Sequence, residues 1–230
     1  RIIDNHSNTH KGPGIFIAEG GTPHFKNILV SENSGSWGII HVYGFESGWN
    51  ETEHPVFENV TISGNECNES CGGIGAWYTG QASLINCIIY DNDGTGIVLP
   101  ETWGGNTIHV SYSNIEGGLE EGTSIGESNT LNWGEGNIDV DPQFIDAESG
   151  DYTLLASSPC INSGDPEFEL DPDGTTVDMG AYYYHNNYTG PDWYVDQVAG
   201  NDTTGTGASG SGSSFASIAA ALNWSGDGHT

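Results

Sequence analysis
A chain of 230 residues, 35% of them hydrophobic, carries enough apolar surface for a folded domain rather than a disordered one. Three basic residues, Arg1, Lys11 and Lys26, stand against 32 acidic ones, and the formal net charge of −29 repels phosphate backbones and anionic membranes, which excludes nucleic acid as a partner. No apolar run approaches the length of a membrane span, and so many carboxylates suit a saline or calcium-rich exterior whose cations screen their repulsion.

Glycine is abundant at 35 residues, and helical 3.6 periodicity is almost absent outside Phe215 to Leu222, so the composition predicts an all-β fold. Taken in chain order, one phrase recurs. It reads Ile2-Ile3-Asp4-Asn5, then Ile28 to Asn33, Val60 to Asn65, Ile88 to Asn92 and Val110 to Asn114. The final asparagines stand 28, 32, 27 and 22 residues apart, in the range of solenoid repeats. Between them lies a second phrase, Gly14 to Ile17, Gly38 to Val42, Gly73 to Trp77 and Gly96 to Leu99, so each coil should carry at least two short strands. The shortest step is expected to be the bare coil. Extra length is expected in outward loops at His6 to Pro13, Phe45 to Pro55 and Glu66 to Cys71.

A further Asn sits six residues before the first in three coils, at Asn27, Asn59 and Asn86. Both sets, Asn5, Asn33, Asn65, Asn92 and Asn114 with Asn27, Asn59 and Asn86, are expected to stack as hydrogen-bonded ladders that satisfy the backbone at tight turns. Cys67 and Cys71 share one loop, close enough to bridge, while Cys87 and Cys160 read as buried apolar residues.

These phrases resemble the right-handed parallel β-helix of the pectate-lyase-like superfamily. The segment that follows narrows the likeness: Tyr112 to Gly118, Gly136 to Phe144, Gly150 to Tyr152, Ser158 to Gly164 and Asp178 to Tyr182 resemble the closing segment of secreted bacterial β-helix repeat proteins. The resemblance covers residues 2 to 184 and implies a β-helix fold and an extracellular or cell-surface address; its members include lyases, hydrolases and adhesins. It divides the chain into coils at 1–118, a closing segment at 119–190 and a tail at 191–230. In the tail, Trp193 to Asp196 and Phe215 to Leu222 look like the opening of another β-helix, although residues 203–214 also have the composition of a linker. The expectation is that the chain was cut from a continuous stack.

Lyase chemistry in this fold needs a base beside a uronate, and only Lys11 and Lys26 are interior candidates. Polygalacturonase-like Asn-Thr-Asp, Asp-Asp and Gly-His-Gly runs are absent, the pair Asp91 and Asp93 reads as a solvated turn, and no catalytic residue is assigned. Calcium is the one ion expected. Asp171, Asp173 and Asp178 offer alternate oxygens around a Gly turn, with Asp139 and Asp141 as a lesser set. Trp49, Trp77, Tyr78 and Trp103 are candidates for stacking on polysaccharide, or else for covering the solenoid under its loops. The sequence thus points to a non-catalytic extracellular β-solenoid segment of a large surface, adhesive or filament-forming protein, with other copies of itself as head-to-tail partners. A calcium-assisted polysaccharide lyase or hydrolase and a glycan-binding module are the alternatives.

Overall fold
The computed structural model describes residues 1–7, 12–18, 20–44, 53–67, 72–101, 104–185, 192–210 and 212–224. Strands such as Gln81–Ile85 and Thr107–Ser111 bury every second residue, the period that puts alternate side chains on opposite faces of a sheet. Their partners come from neighbouring coils. One sheet of eight strands is parallel throughout and runs from Ile2–Ile3 through His24–Ser31, Val56–Ser63, Gln81–Ile85 and Thr107–Ser111 to Thr130–Trp133, with Ile88–Tyr90 and Asn114–Ile115 as side members. A second parallel sheet stacks Ile15–Ala18, Ile40–Tyr43, Ile74–Trp77, Ile97–Leu99 and Thr123–Ile125. The fold is all-β, a parallel β-helix of the right-handed kind that parallel crossovers adopt almost without exception.

The core fills the space between the sheets with columns of like residues. Val30, Ile62, Ile89 and Ile115 stand in register, as do Ile15, Ile40, Ile74 and Ile97. All eight belong to one buried cluster. Each contributes roughly 1.5–3 kcal/mol by leaving water. Phe25 stacks on Phe57 at 5.0 Å between ring centres.

Two columns of left-handed residues turn the chain. Asn27, Asn59, Asn86 and Tyr112 (φ 46° to 56°) bend the large sheet, and Asp4, Glu32, Gly64, Asp91 and Gly117 (φ 54° to 77°) end its strands. Asparagine, aspartate and glycine tolerate this region best. Immediately after the second column, Asn5, Asn33, Asn65 and Asn92 form a ladder: each of the first three donates its backbone N–H and its side-chain amide to the Oδ1 of the next, at 2.8–3.2 Å.

The register corrects two readings. Asn114 pairs with Ile88 rather than following Asn92 in the ladder, so the 22-residue step is no coil; Ile89 to Ile115 spans 26 residues. The turn there is made by Gly117 and Gly118, both at positive φ, which need no Asn. Nor do Asn27, Asn59 and Asn86 bond to one another. Their left-handed corner turns the side chains outward, where Asn59 donates to the Asp178 carbonyl at 2.7 Å and Asn86 accepts from the Asp165 N–H at 2.8 Å. A ladder that the phrases do not announce links the Gly80 N–H to Asn106 and Asn106 to Asn129.

The first part of the closing segment, Thr123–Ile125 and Thr130–Trp133, adds strands to the end of the stack; the rest lies along its side. An antiparallel hairpin, Phe144–Asp146 with Asp151–Leu154, leads into a chain that covers the outward positions of the large sheet. Leu29, Ser31, Thr61, Ser63 and Ile88 face outward yet are at most 1% exposed. The Ala181 N–H donates to Thr61 Oγ1 at 2.9 Å and the Gly180 N–H to the Asn86 carbonyl at 2.7 Å. Gly180 has to be glycine: its φ is +95°, and a Cβ would fall 2.7 Å from Ile88 Cδ1. The described part of the tail folds back onto this segment, with Phe215, Ala220 and Trp224 packed among Leu154, Cys160, Ile161 and Met179. Asn223, in the helix Ile218–Trp224, donates to the Ala156 and Ser158 carbonyls at 3.0 and 2.8 Å.

Candidate functional site
Where the closing segment crosses the corner at Asn27 and Asn59, the two leave a groove of about 600 Å³. Its floor is charged. Glu58, 6% exposed, accepts from Lys26 Nζ through Oε1 and meets His24 Nε2 through Oε2, both at 2.7 Å. The hydrogen bond to Glu58 raises the Lys26 pKa above its ordinary value, so the amine stays protonated. The opposite wall is Phe168 to Pro172 with Tyr182 and Tyr183. Tyr182 packs against the cluster of Leu29, Tyr152 and Ala181. Tyr183 stands more open; its ring meets His185 edge-on at 5.8 Å.

The acidic set behind this wall is hydrogen-bonded to the chain's own backbone. Asp178, 2% exposed, accepts backbone N–H bonds from Asn162 and Tyr184, both at 2.7 Å. Burial pushes its pKa up to about 8 against the pull of those two bonds. Asp171 accepts from the Asp178 N–H at 2.8 Å and is raised by burial to about 6. Asp173 accepts from the N–H and hydroxyl of Thr175. Asp178 thus turns both oxygens to the chain's own amides, and Asp171 and Asp173 turn one each, as aspartates in turns do. Asp139 accepts from the Gly117 N–H and Asp141 from the Gln143 N–H. Among the described residues no three His, Cys, Asp or Glu side chains come together as a metal ion would require.

Of the aromatic candidates, Trp49 and Trp103 lie outside the described residues. Trp77 is no open platform: it is 3% exposed. Its ring folds back over Gly75, where a Cβ would sit 2.2 Å from Cη2, and stacks on His41 at 3.9 Å with 8° between planes. Tyr78, at φ 54°, is half-buried and tilts onto Tyr43 at 4.8 Å. Cys67 is disulfide-bonded, and Cys71 lies outside the described residues. Cys87 and Cys160 are free and buried, with pKa values pushed by burial to about 12, so neither is a reactive thiolate.

The groove brings together residues that sequence reasoning left apart, namely Glu58, Phe168, Glu169, Tyr182 and Tyr183. The run Tyr182-Tyr183-Tyr184 was the one available signal. No known protein family, curated protein or solved structure matches this chain. Among the described residues, no helix is long and apolar enough to cross a membrane.

Proposed function
We propose that this chain is a non-catalytic segment of an extracellular surface, adhesive or filament-forming protein, of the secreted bacterial pectate-lyase-like kind that its phrases resemble. The observation that carries the reading is the state of Lys26; the other candidate base, Lys11, lies outside the described residues. A lyase in this fold would need an amine able to take a proton, and this ammonium is tied to Glu58 at 2.7 Å. Glu58 in turn holds one oxygen against Lys26 and the other against His24, so both are engaged by its own neighbours. What remains is scaffolding: aliphatic columns, an asparagine ladder and a flank covered by the closing segment. Among the described residues, Thr130–Trp133 and Thr123–Ile125 end their sheets with no strand paired on the far edge, the surface on which a further coil, or another copy, would continue the stack.

The test is direct. Purified protein incubated with calcium and a panel of acidic polysaccharides is expected to release no unsaturated sugar, read by ultraviolet absorbance. Release that is lost in Lys26→Ala would overturn the proposal.

A further inference from the structure
We propose that the groove between the Asn27 corner and the Phe168–Tyr183 wall binds a neutral saccharide, a role that goes beyond the scaffold reading and stands or falls separately from it. Its volume of about 600 Å³ lies in the ordinary range for small-ligand sites. One wall offers apolar surface open to solvent. Tyr183 is 42% and Leu170 55% exposed, and an aromatic face of this kind accepts the C–H face of a sugar ring.

The polar groups around it have hydrogen-bonding capacity left over. Asn27 is exposed, is fixed by its left-handed backbone, and makes no side-chain hydrogen bond to the described residues. Glu169 is exposed in the same groove, and Asp171 spends one oxygen on the Asp178 amide and keeps the other. Two carboxylates and an amide oxygen make a lining rich in acceptors, which fits a ligand with many hydroxyl donors. Charge decides against acidic sugars. Lys26, the one Lys or Arg among the described residues that line the groove, is paired with Glu58, and the whole chain carries −29, so a uronate would meet net repulsion.

The experiment titrates the whole chain, by calorimetry and by NMR, with neutral hexasaccharides of β-1,4-glucan, β-1,3-glucan, mannan and xylan, and with oligogalacturonate. At least one neutral probe is expected to bind with a dissociation constant below about 10 mM, and oligogalacturonate more weakly or not at all. Tyr183→Ala should weaken that binding about tenfold. Asn27→Gly, which removes the amide and accepts the left-handed backbone (φ 56°), should weaken it too, with little change in melting, which keeps the test valid should Tyr183→Ala misfold. Phe16→Ala, an exposed ring on the other sheet, should leave it intact. No neutral binding up to about 10 mM, a preference for oligogalacturonate, or equal loss in Phe16→Ala would each overturn the assignment.

Discussion

Asn65 shows what a repeated residue is for. It is 2% exposed, accepts twice from Asn33, and donates to the Val30 and Ser63 carbonyls and to Asn92. Removing it strands several buried groups at once, and each costs about 1–3 kcal/mol when left unpaired. Asn65→Ala is therefore expected to destabilise by about 3 kcal/mol or more, and Asn5→Ala, exposed at the edge of the same ladder, by about 1 kcal/mol or less. Urea denaturation of the two variants checks the difference; equal losses would mean that the interior rung contributes nothing beyond a surface hydrogen bond. Asp178 is the second informative residue. Its pKa is raised from the usual carboxylate range to about 8, so between about pH 4 and pH 8 the folded chain holds a proton there that the unfolded chain does not. Stability must then fall as pH rises across that window. Denaturation midpoints measured from pH 4 to 9 should show this falling limb, and Asp178→Asn should flatten it; an unchanged slope in the variant would remove Asp178 as the cause.

At the scale of elements, the coils were legible and their covering was not. The phrases ending in Asn5, Asn33, Asn65 and Asn92 mark true turns because an Asn there does two jobs, bonding a neighbouring rung and the carbonyl two residues back. Where glycine makes the turn, at Gly117 and Gly118, the same rule slides onto Asn114 and loses the register. Asn106 and Asn129 escaped notice because they sit in turns without the flanking aliphatic phrase. The lateral docking of the closing segment leaves almost no trace in the sequence, since it is made by backbone amides of Gly180 and Ala181 on Asn86 and Thr61. The groove suffers the same loss: Asn27 and Tyr183 are remote in the chain and meet only through that docking. For Trp77 the sequence left two readings, a sugar platform or a cover for the solenoid, because nothing in it says that the ring folds over Gly75.

For the whole molecule, the charge of −29 is the dominant long-range term. Like charges at this density work against a compact state, and salt shortens their reach from about 30 Å at 0.01 M to about 8 Å at 0.15 M. The urea midpoint is accordingly expected to rise between about 0.01 M and 0.5 M sodium chloride, and a midpoint that falls would show that attractive pairs outweigh the repulsion. The closing segment has a consequence of another kind. Solenoids come apart rung by rung, because each coil touches only its neighbours. Here one strip of chain is fastened to Thr61, to Asn86 and, through the Cys160 thiol and the Val140 carbonyl, to Asn114, as a batten is nailed across several planks. No plank on that flank can lift alone, and a fold that would otherwise fray stepwise is made to yield as one cooperative body.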